Sequence, residues 1–284
     1  MSKISVVIIA KNNEKEIAAC LKSVKGADEI IVLDTGSVDG TVKIANDHRA
    51  KVFFYKWNDD FAEARNRALD YATNPWVLSI DTDEELIGGI EGLRAAIDAN
   101  FSKNCIALKV KDSVKEYWVG RIFRKTGAYW IGKIHEDLNV QPVDFTDKVW
   151  LKHNPSKNHE VDPDRNIRIL KDVLHHSPLS VRDMFYLGEE YFRAENYEGA
   201  VYWLTYYVQS SPKTPTYTAE AYFILCESYC KLNRPNRGVE ALHSAIDANP
   251  EMKSAYERLA QLTKNEKWTV LAEGATNKNT LVIR

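Results

Sequence analysis

Residues 30–42 read IIVLDTGSVDGTV and place an apolar run, an aspartate, a tight turn and a helix start in immediate succession. The run at 30–33 is continuous rather than alternating, which is typical of a strand covered on both faces in a parallel sheet. Asp34 follows it directly. Because ligands bind beyond the carboxyl ends of the strands in open α/β sheets, the stretch predicts such a sheet with Asp34 at its binding edge. The alternative is that Asp34 and Ser37 only cap a turn.

The first half of the chain alternates strand-like and helix-like segments around this stretch. Strand-like residues lie at 4–9, 30–33, 52–55 and 76–80, and helix-like residues at 14–25, 40–48 and 60–72. This order predicts an α/β domain with a doubly wound, mostly parallel sheet and right-handed crossovers. Residues at about 103–150 have short strand patterns and many aromatics, which favours a sheet extension or an acceptor-side lobe. We place this domain at 1–155.

The second half, 156–284, shows helical patterns and an internal repeat. Segments 184–212 and 222–250 each carry small residues at close-packing positions and a terminal proline. Their spacing is that of a tetratricopeptide repeat, although the prolines are 38 residues apart rather than about 34, which places extra residues near 213–216. Segments 165–178 and 254–262 resemble half-repeats that would cap the array. An unrelated helical bundle is the alternative.

Composition narrows the class of protein. Hydrophobic residues make up 44% of the chain and the net charge is −2, as in a soluble globular protein without a general attraction to nucleic acid or lipid. The apolar run at 4–10 is too short for a signal peptide or a membrane span, and we expect no transmembrane segment. The four cysteines form no C-x-x-C pair, which favours free thiols in a reducing cytoplasm.

A second strand-like segment also ends in acids. Asp81 and Asp83 follow residues 76–80, and carboxylates spaced in this way can share a divalent cation with phosphate oxygens. A capped helix start would explain the pair equally simply. Arg65, in the helical segment before it, would supply a cation for phosphate. The same half of the chain therefore carries an acid, a cation and a candidate metal site.

Five motifs together resemble the family 2 glycosyltransferases with a GT-A fold, especially those with C-terminal tetratricopeptide repeats. The motifs are ISVVIIAKNN at 4–13, VLDTGSVDGT at 32–41, FAEARNRAL at 61–69, LSIDTDEEL at 78–86 and GRIFRKTGAYWIGKIHEDL at 120–138. The resemblance covers essentially the whole chain. It implies a nucleotide-sugar donor, with UDP expected, a Mn²⁺ or Mg²⁺ ion, and inversion at the anomeric carbon.

The resemblance also assigns roles on the donor side. It places Ala10 and Asn12 beside the nucleoside, Asp34 on the base, Arg65 near base or diphosphate, Asp81 near the ribose and Asp83 on the metal. Asp39 is expected to be structural and to cap the helix that starts at 40–41.

Glycosyl transfer also needs a base to take the acceptor proton. Glu136 and Asp137 are the candidates, with Glu136 favoured, and His135 could complete the metal shell. These side chains could instead pair only within the lobe. Arg121 and Arg124 are expected to face one side of a strand and to grip diphosphate or acceptor; a solvated strand face is the alternative.

The acceptor is less defined than the donor. Residues 103–133 contain eight basic and two acidic residues, a net charge of +6, interleaved with five aromatics. This composition suits a phosphorylated, sugar-rich or nucleic-acid acceptor, or a charged rim over buried aromatics. A surface glycan or its lipid-linked precursor is expected first, then a protein or peptide, then modified phage DNA.

Two rival functions follow from the same sequence. In the first, the helical repeats act as a scaffold joined to a degenerate, non-catalytic transferase domain; in an active transferase, the repeats could instead form a homodimer contact. Nucleotidyl transfer is disfavoured, because AKNNEK at 10–15 lacks a glycine-rich phosphate loop.

Overall fold

The computed structural model describes residues 2–100, 102–112, 116–141, 144–155, 162, 164–211 and 214–275, with the side chains of 144, 145 and 147 outside that description. Lys115 of the basic stretch and Pro212 of the first repeat also lie outside the described residues. The chain divides into two compact units, residues 1–160 and 161–284.

The first unit contains strands and helices in alternation. Its strands are β1 (Ile4–Ala10), β2 (Glu29–Asp34), β3 (Lys51–Phe54), β4 (Trp76–Ser79), β5 (Glu84–Ile87), β6 (Cys105–Lys111), β7 (Glu116–Arg124), β8 (Trp130–Ile131), β9 (Asp137–Leu138) and β10 (Asp144–His153). Its helices are α1 (Ile17–Ser23), α2 (Thr41–Asp47), α3 (Phe61–Asp70) and α4 (Gly89–Ala99). The predicted βαβα order is confirmed, with bounds that differ by a few residues.

Eight strands form one sheet in the order β3-β2-β1-β4-β7-β6-β10-β5. Strands β3, β2, β1 and β4 are parallel, whereas β7 is antiparallel to both β4 and β6. Since β6 and β10 are parallel to each other, the carboxyl ends of β1, β2, β4, β6 and β10 lie at one edge. The chain runs outward from β1 through β2 to β3 and then crosses back to place β4 on the other side of β1. This reversal of strand order makes the edge beside β1 and β4 the expected place for a ligand crevice.

The strand that opened the sequence analysis is buried on both faces. Val32 packs in a core with Ile8 and Leu78, whereas Ile31 and Leu33 pack in a second core on the other face. Ile31, Val32 and Leu33 are all fully buried. The continuous apolar run therefore predicted the covering of this sheet correctly.

The sheet extension differs from the expected short strands. Strands β7 and β10 have nine and ten residues and extend the main sheet, and only β8 and β9 form a separate two-stranded hairpin. The register between β6 and β7 shifts so that Ile106 pairs with Ile122 and Ala107 with Gly120. Arg121 is therefore the extra residue of a β-bulge, a feature that re-aims a side chain.

Among the described residues of the second unit, all the regular elements are helices. Its helices are α5 (Arg165–His176), α6 (Val181–Arg193), α7 (Tyr197–Gln209), α8 (Pro215–Lys231), α9 (Pro235–Ala248), α10 (Lys253–Thr263) and α11 (Glu266–Gly274). A Cβ added at Gly188 of α6 would lie 2.5 Å from Leu204 of α7. A Cβ added at Gly238 of α9 would lie 3.2 Å from the Cys226 carbonyl oxygen of α8. The small residues thus permit the close helix pairs that the repeat pattern predicted.

The C-terminal half-repeat expected at 254–262 is instead part of a helix pair. Helix α10 is followed by α11, and Tyr256 of α10 lies 6.3 Å from Trp268 of α11 between ring centroids. Helix α11 buries only Ala272, while Val270 and Leu271 are exposed. Its weak apolar periodicity explains why the sequence pattern missed it.

None of the helices in the described ranges combines the length and apolar character that crossing a membrane requires.

A buried carboxyl group sits between helices of the second unit. Glu220 of α8 is 3% exposed, and burial, together with the nearby Glu189 carboxylate of α6, raises its pKa from 4.5 to about 8. Glu189 itself accepts a hydrogen bond from Arg193 at 2.7 Å. Glu220 therefore favours folding while it is protonated, and its contribution is lost as the pH rises from about 4.5 through about 8.

We expect Glu220→Gln to match the wild type in thermal stability at pH 5 and to exceed it at pH 9, because the amide stays neutral. The gain should be on the order of a few kcal/mol, or roughly 5 °C or more in unfolding midpoint. Calorimetric unfolding scans at the two pH values measure it, with the exposed Glu240→Gln as the matched control. A pH-independent difference between Glu220→Gln and the wild type would contradict the assignment.

Candidate active site

The loops after β1 and β2 are joined by reciprocal hydrogen bonds. The Asn12 N–H donates to Ser37 Oγ, and the Val38 N–H donates to Asn12 Oδ1, both at 2.9 Å. Asn12 has a φ of 53°, in the left-handed region that asparagine tolerates better than most residues. Ala10, at the end of β1, is buried and pairs with Asp34 in the sheet register. These contacts bring Ala10, Asn12 and Asp34 to one edge.

Asp34 both caps its turn and keeps one oxygen unpaired. Its Oδ1 accepts hydrogen bonds from the Gly36 and Ser37 N–H groups, each at 3.0 Å. Its Oδ2 is buried and has no hydrogen-bond partner among the described residues. An unsatisfied buried carboxylate oxygen is costly unless a donor reaches it, so this atom is a candidate acceptor for a ligand N–H or O–H.

Asp39 has the structural role expected of it. Its Oδ1 accepts from the Thr41 N–H at 3.0 Å and from Thr41 Oγ1, while its Oδ2 accepts from the Glu14 N–H. These bonds tie the start of α2 to the loop after β1.

Arg65 joins the sheet edge to the lobe. From α3, its Nη2 donates to Asp81 Oδ1 at 2.7 Å and its Nε donates to Glu136 Oε1 at 2.5 Å. Its Nη1 lies 3.3 Å from Ser79 Oγ, and its guanidinium lies 5.2 Å from the Trp130 ring centroid. The side chain is 8% exposed, so this is a buried ion-pair network rather than a surface salt bridge.

Arg121 is the second arginine that pairs with Asp81. Its Nη2 donates to Asp81 Oδ2 at 2.8 Å and lies 3.4 Å from Glu84 Oε1. Burial alone would raise the pKa of Asp81, but the guanidinium groups of Arg121 and Arg65 hold it well below its ordinary range. Both oxygens of Asp81 are therefore engaged by arginine, and this carboxylate is poorly placed to bind a metal ion.

Asp83 lies beside a histidine that the sequence analysis missed. His153, the last residue of β10, has its Nε2 3.4 Å from Asp83 Oδ2 and its Nδ1 3.9 Å from Asp112 Oδ2. The hydrogen bond to Asp83 raises the pKa of His153. His153 follows an apolar strand segment and precedes Asn154, the same strand-end placement that singled out Asp34 and Asp81, so the signal was present.

The donor set around Asp83 fits a substrate-completed metal site. In the described part of the chain, no three His, Cys, Asp or Glu side chains form a ready-made metal cluster. Asp83 and His153 nevertheless offer a carboxylate and an imidazole nitrogen side by side, with Asp112 behind the ring. Mg²⁺ and similar ions are often held by one or two protein ligands plus substrate phosphates, so these residues fit such an ion.

The β8–β9 hairpin carries the candidate bases and is fixed to α3. Asn66 of α3 accepts from the Trp130 N–H at 2.7 Å and donates to the Trp130 carbonyl at 2.9 Å. Trp130 and Leu138 pack in the core against α3. Asp137 pairs with Ile131 in the hairpin register and is partly exposed.

His135 and Glu136 precede β9 and differ from Asp137 in setting. His135 has a φ of 52°, and Glu136 points to Arg65 with a side chain 13% exposed. Asp137 and Leu138 are consecutive strand residues, so their side chains leave opposite faces of the hairpin. The histidine seen beside Asp83 is His153 of β10, and the role of His135 in the metal shell stays a prediction.

Arg124 lies apart from Arg121, near the amino end of β4 rather than among the carboxylates that Arg121 contacts, and the prediction that both face one side of a strand stays a prediction. Arg124 pairs with Trp76 at the amino end of β4, where its guanidinium lies 4.7 Å from the Trp76 ring centroid. Its Nε donates to the Lys103 carbonyl at 3.3 Å. The two side chains are separated along β7, since Arg124 pairs with the start of β4 whereas Arg121 lies at the bulge beyond the residues that pair with β4.

The basic stretch at 103–133 is also dispersed by the fold. Arg121 is buried among carboxylates, and Lys125 donates to the carbonyls of Asp70 and Ala72. Lys109 and Lys111 lie 3.2 and 3.4 Å from the Glu116 carboxylate. The net charge of +6 along the sequence therefore does not form one basic surface.

Comparison with known proteins identifies the family. The family model described as glycosyl transferase family 2 matches residues 5–148. The chain belongs to glycosyltransferase family 2. It is 32% identical over 219 residues to SunS, a prophage-derived glycosyltransferase of Bacillus subtilis, covering 69% of this chain and 51% of SunS. The chain thus spans about half the length of that relative.

Two further similarities concern the architecture. A TPR repeat-containing protein of Synechococcus elongatus is 47% identical over 88 residues, covering 31% of this chain and 22% of that protein. The crystal structure of residues 1–349 of S. aureus TarS in complex with UDP-GlcNAc has a TM-score of 0.52 at 18% identity, covering 90% of this chain and 92% of that one. The predictions of a glycosyltransferase with a GT-A α/β domain and C-terminal tetratricopeptide-like repeats are confirmed.

Proposed function

We propose that this family 2 glycosyltransferase moves a hexose or N-acetylhexosamine from a UDP-sugar to an acceptor hydroxyl, with inversion. The observation that carries the proposal is the bridge from Asp81 through Arg65 to Glu136, which holds the strand ends and the lobe together in one buried network. A donor bound at the strand ends would then face an acceptor bound at the lobe.

The nucleoside would lie beside Ala10 and Asn12. The unpaired Oδ2 of Asp34 is a hydrogen-bond acceptor at the right edge for the ring N–H of uracil. Asp81, held by Arg65 and Arg121, would accept from a ribose hydroxyl. Arg121 has a buried Nε without a hydrogen-bond partner in the described residues, and this donor would serve a diphosphate oxygen.

Asp83 and His153 would hold a Mn²⁺ or Mg²⁺ ion together with the diphosphate. Such an ion neutralises the charge that develops on the leaving diphosphate. Asp112 Oδ2 lies 3.9 Å from His153 Nδ1, beyond hydrogen-bond distance, so it would act on the imidazole through its charge. His135, in the turn before Glu136, is the alternative ligand.

We propose Asp137 as the base that takes the acceptor proton, with Glu136 positioning the lobe. Arg65 occupies one oxygen of Glu136 in a buried ion pair, and a proton taken there would weaken the contact that joins lobe and sheet. Asp137 is a residue of β9 and is partly exposed, so an acceptor hydroxyl can reach its carboxylate. Glu136, favoured by the sequence, is the alternative.

The acceptor classes are a glycan, a protein and modified DNA, in that order. Dispersal of the basic stretch weakens the case for DNA, since nucleic-acid binding needs several lysines or arginines free for phosphates. The helical unit would contact the acceptor or a second copy of the chain, because such helix arrays offer extended docking surfaces. All four cysteines are free thiols, which supports a reducing compartment such as the cytoplasm.

The proposed donor chemistry is tested by a screen of UDP-, GDP- and dTDP-sugars for hydrolysis without acceptor, with and without Mn²⁺. We expect metal-dependent hydrolysis of a UDP-sugar, and we expect Asp83→Ala to abolish both this activity and Mn²⁺-dependent UDP binding in calorimetry. His153→Ala and His135→Ala form the matched pair, and only the former should weaken Mn²⁺-dependent binding. Metal-dependent UDP affinity unchanged in Asp83→Ala would remove Asp83 from the metal site.

The base is tested by amide substitutions that preserve side-chain shape. Asp137→Asn should lower the transfer rate by roughly two to four orders of magnitude while UDP binding stays nearly unchanged, the usual effect of removing a general base. Glu136→Gln should lower it less, because its amide can still face Arg65. The reverse order of effects would move the base to Glu136. A product that retains the donor's anomeric configuration would refute the inverting mechanism.

A further inference from the structure

One face of the extended sheet carries tryptophans and lysines that the proposed chemistry does not use. The sheet register places Trp118 of β7, Lys109 of β6 and Trp150 of β10 side by side. The next row holds Glu116, Lys111 and Lys152 on the same strands. Because alternate residues of a strand share a face, both rows lie on one side of the sheet.

Contacts between the rows confirm that their side chains share this face. Lys109 Nζ lies 5.1 Å from the Trp118 ring centroid, and Lys111 Nζ lies 5.1 Å from the Trp150 ring centroid. Glu116 pairs with both lysines. Trp118 is nevertheless 40% exposed, a large apolar surface to leave in water. We call Trp118, Lys109, Trp150, Glu116, Lys111 and Lys152 the tryptophan face.

The tryptophan face runs up to the candidate metal site. Lys111 is followed by Asp112, and Lys152 is followed by His153. His153 lies 3.4 Å from Asp83 and 3.9 Å from Asp112. Strands β6 and β10 point their carboxyl ends at the same edge as β4. As consecutive strand residues, Asp112 and His153 leave the opposite side of the sheet from the lysines before them. A chain molecule lying along the tryptophan face would therefore reach the sheet edge at which the donor sugar is expected.

The charges of the face favour a neutral occupant. The three lysines and Glu116 of the face have a net charge of +2, and the adjacent Glu85 of β5 lowers it to +1. Each lysine has a glutamate oxygen within 4.0 Å. A nucleic acid or polyphosphate would have to displace these internal pairs, whereas paired ammonium and carboxylate groups can still hydrogen-bond to hydroxyls.

We propose that the tryptophan face binds the sugar rings of a neutral oligosaccharide acceptor. The flat C–H faces of pyranose rings stack on indole and remove its apolar surface from water. Trp118 and Trp150 lie two strands apart, about 10 Å, so they would contact different sugars of one chain. The inference rests on the proposed transfer to an acceptor hydroxyl and selects the glycan among its possible acceptors.

The test is binding of the full-length protein, without donor, to an array of neutral oligosaccharides of different linkages. A single-stranded oligothymidylate and inorganic polyphosphate serve as anionic probes. We expect neutral oligosaccharide binding that persists from 50 to about 500 mM salt, unlike a phosphate-driven contact. Trp118→Ala and Trp118→Gln should each weaken oligosaccharide binding about tenfold, whereas Trp118→Phe should retain most of it. Two non-aromatic variants are used so that at least one is available in a folded form.

Tyr202→Ala is the matched control, since Tyr202 is also an exposed aromatic residue, on α7 of the helical unit. Binding of no neutral oligosaccharide, binding of the anionic probes alone, or equal binding by Trp118→Ala or Trp118→Gln would overturn the proposal. UDP-sugar hydrolysis without acceptor is measured on the same samples. Lost glycan binding with intact hydrolysis refutes only the tryptophan face, whereas glycan binding without hydrolysis of any nucleotide sugar refutes the donor chemistry.

Discussion

The ion pairs of Arg65 are the constraint on which the site depends. One buried guanidinium donates to Asp81 at the end of a sheet strand and to Glu136 in the lobe. Removing one member of a buried pair typically costs about 3 to 5 kcal/mol, because it leaves a charge without compensation. The lobe that carries the candidate bases is therefore held at the strand ends by charge as well as by the packing of Trp130 and Leu138 on α3.

Three aspartates at this edge have different electrostatic surroundings. Asp81 is neutralised by two arginines, Asp34 keeps one buried oxygen open, and Asp83 lies against His153. These settings suit a ribose hydroxyl, a base N–H and a metal ion respectively. Beyond them, the tryptophan face has balanced charges, which suits neutral sugars rather than phosphates. In the proposed function, this edge of the GT-A domain has separate donor and acceptor portions.

Local sequence patterns predicted the sheet and the helix pairs because burial and close packing constrain which residues can occupy neighbouring positions. The continuous apolar run at 30–33 reflects burial on both faces, and the glycines and alanines of the repeats reflect close helix packing. Partners across the chain were not predictable in this way. His153 comes to Asp83 only through the pairing of β10 with β5, and Arg121 is aimed at Asp81 by a β-bulge. Arg124, which looks like its equivalent in sequence, packs on Trp76 at the amino end of β4.

The coupling between Arg65 and Glu136 tests the account most directly. A double-mutant cycle of Arg65→Met and Glu136→Gln, measured as the free energy of unfolding in urea, isolates their interaction from the effect of each change. The account predicts a coupling of about 1 kcal/mol or more, as found for residues in one buried network. A coupling of roughly zero, within about 0.3 kcal/mol, would contradict the claim that Arg65 holds the lobe to the sheet.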